Sequence, residues 1–135
     1  MRLVRTIHQK YYDSELGRFT SLAFKPASNG GISVFDCECA MRRSGTLCSH
    51  ISQFYAEVSG APPIFWVFDT GILPADLEIQ NSVSTSGDSC HRDIHNLSAK
   101  QARGILKSVS VPNDFCICNP DGSCRVLTMT DLQAP

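Results

Sequence analysis

The pattern of apolar and polar positions predicts both strands and helices along this chain of 135 residues. Two-residue alternation predicts a strand over residues 32–37, and a continuous apolar run predicts a fully buried strand over residues 64–68. Apolar positions at helical spacing predict a helix from about residue 47 to residue 58. A Ser-Ala-Lys-Gln capping box at residues 98–101 predicts the start of a second helix.

The remaining patterned segments predict further strands. They lie at residues 3–8, 19–24, 91–97, 115–118 and 125–129, the last two flanking a strong Asn-Pro-Asp-Gly turn signal. The order of strands, helix, strand, loop, strand, helix and hairpin predicts an α+β fold with a mostly antiparallel sheet and two packed helices. The length predicts a single compact domain spanning residues 1–135.

The strongest chemical signal is a stretch of fourteen residues that reads C-E-C-A-M-R-R-S-G-T-L-C-S-H. Its candidate metal ligands are Cys37, Cys39, Cys48 and His50. A tetrahedral zinc site uses two to four thiolates, with imidazole completing the set. The strand over residues 32–37 would deliver the first pair, and the helix after it would begin with the second pair. We therefore predict a Zn²⁺ ion that stabilises the fold.

This C-x-C…C-x-H motif resembles the SWIM-type zinc finger over residues 31–58. In that family a strand precedes the C-x-C pair and the C-x-H pair opens an amphipathic helix, which Ile51 and Phe54 would continue here. Ala40 stands where the family usually has proline. Because such fingers commonly bind DNA or protein, the resemblance implies a macromolecular interaction module with a nucleic acid or protein partner.

A second set of thiols and imidazoles in the other half of the chain is a candidate for a second metal site. Its members are Cys90, His91, His95, Cys116, Cys118 and Cys124. Three alternatives stay open: one site draws ligands from both halves, a Cys/His pair acts as nucleophile and base, or the cysteines are core residues. We expect thiols rather than disulfides, because the chain is predicted to be cytoplasmic.

Charge narrows the kind of partner. The net charge of −1 argues against a nucleic-acid binder that works by bulk electrostatics. The N-terminal third is nevertheless basic, and Arg42 and Arg43 lie between the two predicted ligand pairs as candidate partner contacts.

The apolar run at residues 62–68 is too short to span a bilayer, and residues 1–8 lack the apolar core of a signal peptide. We expect a cytoplasmic protein with no membrane partner.

An enzyme is the alternative to an interaction module. A catalytic zinc would keep an open coordination position for water. The residues Arg5, His8 and Ser21 also resemble the opening of the Arg–Ser–Glu type of ADP-ribosyltransferase. The resemblance implies that Arg5 would hold the NAD phosphates and Ser21 would support the pocket, with Glu78 as the candidate for the catalytic glutamate.

Overall fold

The computed structural model describes residues 1–26, 30–57, 59, 62–83 and 87–133. Its strands are β1 (Arg2–Ile7), β2 (Tyr12–Asp13), β3 (Arg18–Phe19), β4 (Ile32–Asp36), β5 (Ile64–Asp69), β6 (Glu78–Asn81), β7 (His91–His95), β8 (Phe115–Cys118) and β9 (Cys124–Val126). Its α-helices are α1 (Cys37–Ser44), α2 (Leu47–Phe54), α3 (Ala99–Ser108) and α4 (Met129–Gln133). Short 3₁₀ turns occupy Gln9–Tyr11, Ser21–Phe24 and Thr70–Ile72.

The main sheet has the strand order β6-β7-β4-β1-β5-β8-β9, and its neighbouring strands are antiparallel. The longest pairing joins β1 to β5, from Arg2 opposite Asp69 to Ile7 opposite Ile64. Strands β2 and β3 form a separate two-stranded ribbon. The predicted α+β fold with a mostly antiparallel sheet in one compact domain is confirmed, whereas its stabilisation by zinc stays a prediction.

Alternation of side chains along the strands produces a core on each face of the sheet. On one face Leu3 of β1 and Trp66 of β5 pack in a cluster that includes Ile105 of α3. On the other face Val4 and Phe65 pack in a cluster that includes residues of α1 and α2. The cysteines of this second cluster are Cys37, Cys39, Cys48, Cys90, Cys116 and Cys118. The second core therefore gathers thiols from both halves of the chain.

Helix α1 occupies the place of the strand end and loop predicted around the first cysteine pair. The side chain of Asp36 caps it by accepting the Cys39 amide at 3.1 Å. Gly45 ends it with a φ of 82°, a left-handed conformation that favours glycine. Residues 37 and 39 point about 200° apart on a helix, whereas on a strand they would share a face. The predicted placement of Cys37 and Cys39 together at a strand end is therefore wrong.

Other elements agree with the predictions to different degrees. Helix α2 ends at Phe54, and Val58, where its end is predicted, lies outside the described residues. In the predicted strand 19–24, Phe19 ends β3, and Ser21–Phe24 forms a 3₁₀ turn because its consecutive apolar residues lack the alternation of a half-buried strand. Helix α3 begins as predicted, since Ser98 and Gln101 exchange capping hydrogen bonds of 2.9 and 3.1 Å.

Candidate metal centre

Two disulfide bonds join the first cysteine cluster to the second, so the expectation of thiols rather than disulfides is wrong for four of the seven cysteines. Cys39 is bonded to Cys90 and Cys48 to Cys118, each with a Cα–Cα distance of 5.6 Å. The free cysteines are Cys37, Cys116 and Cys124. The thiols predicted to share one zinc ion in the first cluster are thus divided, because Cys39 and Cys48 belong to different disulfides.

Donor atoms of three chemical types converge beside the disulfide between Cys39 and Cys90. A ring nitrogen of His50, a carboxylate oxygen of Asp88 and the Sγ of Cys90 lie within 4.8 Å of one another. These three residues are 0% exposed. The Sγ of Cys39 joins the group through its bond to Cys90. Helix α1 supplies Cys39, α2 supplies His50, and the segment before β7 supplies the other two, so both halves of the chain contribute.

Helix α2 places the side chain of His50 in the core. The side chain of Thr46 caps this helix by accepting the Ser49 amide at 3.0 Å. His50 then lies against the aromatic rings of Phe35 and Phe54, each with a ring-centroid distance of 4.8 Å. The rings of Phe35 on β4 and Phe54 on α2 therefore hold the imidazole in a fixed orientation.

Hydrogen bonds connect His50 and Asp88 to three further groups. The Nε2 of His50 lies 2.9 Å from the Oδ2 of Asp88, and its Nδ1 lies 2.8 Å from the Oγ of Ser44. Asp88 also accepts the Tyr55 hydroxyl at 2.5 Å and the Cys90 amide at 2.8 Å. Because an ionised carboxylate can only accept, the imidazole of His50 donates from Nε2 to Asp88.

These contacts keep a buried carboxylate ionised. Burial raises the pKa of Asp88, but hydrogen bonds from Tyr55, His50 and the Cys90 amide outweigh burial and hold that pKa below its ordinary value. Burial, together with the hydrogen bond to Asp88, raises the pKa of Tyr55 well above its usual range. Tyr55 therefore stays a neutral donor to the carboxylate.

A second polar network surrounds His91, which is a predicted ligand of the second metal site. The Nε2 of His91 lies 2.7 Å from Ser33 Oγ, its Nδ1 lies 2.8 Å from Ser82 Oγ, and Ser82 donates to Asp93 at 2.8 Å. Because the single hydroxyl proton of Ser82 goes to Asp93, His91 donates from Nδ1 to the Ser82 oxygen. The ring of Tyr55 stacks on His91 at 6.5 Å. Both ring nitrogens of His91 are thus engaged by serine hydroxyls.

The remaining ligands predicted for the second metal site lie on strands, and Cys37 of the first site lies on helix α1. His95 shares a face of β7 with His91 and lies opposite Glu78 of β6. Cys118 lies directly opposite Cys124 in the hairpin of β8 and β9. Burial raises the pKa of the free Cys116 thiol, and it does the same for the free Cys37 thiol. These two thiols are therefore poor sources of thiolate.

The two arginines predicted to contact a partner end helix α1 at the surface. Arg42 and Arg43 are both exposed and lie in the last turn, where positive charge complements the helix dipole. Arg43 donates a hydrogen bond to the hydroxyl of Ser89, and its guanidinium lies 5.2 Å from the centroid of the Phe54 ring. Arg42 is therefore the better candidate for a partner contact, and the contact itself stays a prediction.

Arg5 has contacts that do not resemble a nucleotide-binding fork. It donates to the carbonyl of Ala23 at 2.9 and 3.1 Å and to the carbonyl of Ser33 at 2.7 Å. Burial lowers its pKa to about 10. The other residues of the transferase resemblance lie in separate elements: His8 caps one 3₁₀ turn, Ser21 begins another, and Glu78 begins β6. The guanidinium thus joins backbone segments, and the transferase resemblance stays a prediction.

The sequence patterns do not single out the groups that surround His50. Asp88 lies two residues before Cys90, and an Asp at that spacing is the local signal of the Asx turn that it forms with the Cys90 amide. Ser44 and Tyr55 carry no spacing signal, because their roles depend on how α1 and α2 pack.

No family model, curated protein or solved structure matches this chain. The resemblance to the SWIM-type finger therefore stays a prediction. Among the described residues, no helix has the length and apolar character required to cross a membrane. A cytoplasmic location also stays a prediction.

Proposed function

We propose that this chain is a small zinc-binding domain whose single centre takes ligands from both halves of the chain: Cys39, His50, Asp88 and Cys90. The observation that carries the proposal is the convergence of three buried donors within 4.8 Å, with the fourth covalently attached to one of them. This ligand set keeps Cys39 and His50 from the predicted first cluster. It replaces Cys37 and Cys48 with Asp88 and Cys90.

The chemistry of the donors suits zinc. Zn²⁺ is commonly bound by thiolate, imidazole and carboxylate in tetrahedral geometry. Bond lengths of about 2.0 Å to nitrogen or oxygen and about 2.3 Å to sulfur place tetrahedral donors roughly 3.3–3.8 Å apart. Donors that already lie within 4.8 Å therefore need to close by no more than about 1.5 Å.

The surroundings of the donors also suit a metal centre. A histidine that binds zinc usually donates its second ring N–H to a neighbouring acceptor. If His50 binds through Nε2, the Oγ of Ser44 is in place to accept from Nδ1 at 2.8 Å. Tyr55 and the Cys90 amide already orient the carboxylate of Asp88. Ser44, Tyr55 and the Cys90 amide would therefore keep their contacts with the ligands when zinc binds.

Metal binding in this proposal depends on the redox state. Zinc binds thiolates, and the Cys39–Cys90 disulfide offers none. A dithiol or phosphine reductant supplies two electrons and the disulfide becomes two thiols. Binding of Zn²⁺ then releases two protons. The domain would alternate between a disulfide-closed form and a zinc-closed form that join the same two segments.

The test is zinc content per chain in the reduced and oxidised protein. After reduction with a phosphine and removal of loosely bound metal, we expect about one zinc per chain, and little in the oxidised protein. Cys90→Ser and His50→Gln should lose the metal, whereas the matched control Cys124→Ser should retain it. Equal zinc in wild type and Cys90→Ser would exclude this centre, and loss of zinc in Cys37→Ser would favour the ligand set predicted from the motif.

One observation favours the enzymatic alternative. Ser44, His50 and Asp88 follow one another through hydrogen bonds in the order of a serine–histidine–aspartate relay. A fluorophosphonate would react by forming a bond from Ser44 Oγ to phosphorus while fluoride leaves and His50 takes the serine proton. Labelling of wild type that disappears in Ser44→Ala would support the relay, and equal labelling of both proteins would exclude it.

A further inference from the structure

We infer that Cys124 is a relay thiol through which external thiols reduce the buried disulfide between Cys48 and Cys118. This inference concerns a disulfide outside the proposed zinc centre and does not depend on zinc binding. The substrate class is a low-molecular-weight monothiol such as glutathione.

Burial separates the disulfide from solvent thiols. Cys48 is 4% exposed and Cys118 is 7% exposed, whereas Cys124 is exposed. A thiolate from solvent must approach a disulfide sulfur directly to exchange with it, so burial slows the reaction. Cys124 offers a sulfur that solvent thiols can reach.

The register of the terminal hairpin places Cys124 next to the disulfide. Cys124 lies directly opposite Cys118 across β8 and β9. Hydrogen bonds from Asn119 to Ser123 at 2.7 Å and from Leu127 to Phe115 at 2.9 Å mark hydrogen-bonded positions of the ladder. Alternation then makes the pair of residues 118 and 124 a non-hydrogen-bonded pair, in which side chains approach most closely.

This geometry permits a bond between the two cysteines across the strands. The Cα atoms of a non-hydrogen-bonded pair lie about 4.5 Å apart. Disulfides span Cα–Cα distances of roughly 4.4–6.8 Å. A disulfide between Cys118 and Cys124 therefore fits the hairpin without a change of register.

The exchange proceeds in three balanced steps. The thiolate of Cys124 attacks the Sγ of Cys118, a bond between Cys124 and Cys118 forms, and Cys48 leaves as a thiolate. A glutathione thiolate then attacks the exposed sulfur of Cys124, and Cys118 leaves. A second glutathione attacks the mixed disulfide, oxidised glutathione departs, and Cys124 is restored. Two electrons have passed from two glutathione thiols to the disulfide, and solvent supplies the protons.

Neither of the other free thiols has this position. Cys116 lies opposite Val126 and is partly buried, and burial raises the pKa of its thiol. Cys37 is buried on helix α1, and burial raises its pKa as well. These two cysteines therefore serve as matched controls for the loss of a free thiol.

The experiment follows the reduction of each disulfide by excess glutathione under anaerobic conditions. Samples are quenched with acid, alkylated, and mapped by mass spectrometry. We expect Cys124→Ser to slow loss of the Cys48–Cys118 bond by at least about tenfold, because reduction then requires direct attack on a buried sulfur. Cys116→Ser should leave this rate unchanged. Early samples of wild type should carry a glutathione adduct on Cys124.

The Cys39–Cys90 disulfide is the internal reference, because its reduction should not depend on Cys124. A selective slowing of the Cys48–Cys118 bond supports the relay. Equal rates in wild type and Cys124→Ser would overturn it, as would an equal slowing of both disulfides. Circular dichroism of Cys124→Ser, whose substituted side chain is exposed, verifies that its fold is intact.

Discussion

Removal of the Cys48–Cys118 disulfide provides a quantitative test of the covalent connection between α2 and β8. The variant is Cys48→Ala with Cys118→Ala, which removes both sulfurs and leaves no new unpaired thiol at either position. The two cysteines are 70 residues apart in sequence. Loop-closure entropy for such a separation corresponds to about 4 kcal/mol of stabilisation at 25 °C.

The second disulfide changes this figure little. Because Cys39 and Cys90 are already joined, the shortest covalent route from Cys48 to Cys118 contains about 37 residues. The dependence on loop length is logarithmic, so the expected loss is still about 4 kcal/mol. For a domain of 135 residues with an unfolding entropy of about 2.1 cal/mol/K per residue, this loss lowers the Tm by roughly 14 °C.

The assay is urea and thermal unfolding of the oxidised proteins, followed by circular dichroism. The matched control is Cys37→Ala with Cys116→Ala, which removes two sulfurs from the same core without opening a cross-link. We expect the control to lose no more than roughly 2 kcal/mol from packing alone. If the disulfide variant were no less stable than this control, the pairing of Cys48 with Cys118 or its stabilising role would be refuted.

Three further predictions concern the polar groups and the surface. Tyr55→Phe should lower the free energy of unfolding by about 1–3 kcal/mol in urea titrations, because the buried carboxylate of Asp88 loses a donor; a change below measurement error would contradict that contact. Since folding lowers the pKa of Asp88, its contribution to stability should be present above the ordinary pKa of 3.8 and disappear as the pH falls through the folded value. Unfolding of wild type and Asp88→Asn across this acid range should therefore show a smaller difference at lower pH, and a constant difference would contradict the assignment. If the partner is a nucleic acid, Arg42→Ala should weaken binding and reduce the slope of log affinity against log salt by about one, while unchanged affinity across salt would leave a protein partner.

Local signals make part of the fold predictable. The capping box of Ser98 and Gln101 and the apolar face that follows specify α3 within a few residues, so the prediction of this helix is confirmed. Helix α1 differs from the predicted strand end and loop, although Asp36 and Gly45 are ordinary start and stop signals of a helix. Two ligands at C-x-C spacing share a face only on a strand, which is why the motif predicts a strand end. The helix signals at Asp36 and Gly45 outweigh this preference.

The sequence predicts which types of residue form the candidate site, but it does not predict which of them contact one another. The sequence identifies Cys39 and His50 as candidate ligands by their spacing. It does not identify Cys90 and Asp88 as their neighbours, because that contact depends on how β7 pairs with β4 and on how the helices cover the sheet. Cysteines 51 and 70 residues apart in sequence have no local signal of their pairing.

The most direct test of the proposed zinc centre is X-ray absorption at the zinc edge of the reduced wild-type protein loaded with one equivalent of Zn²⁺. The proposal predicts a four-coordinate ion with two sulfur ligands at about 2.3 Å and two nitrogen or oxygen ligands at about 2.0 Å. Those ligands would be Cys39 and Cys90 through sulfur, with His50 and Asp88 as the lighter pair. A first shell with three or more sulfurs, or with none, would contradict this centre.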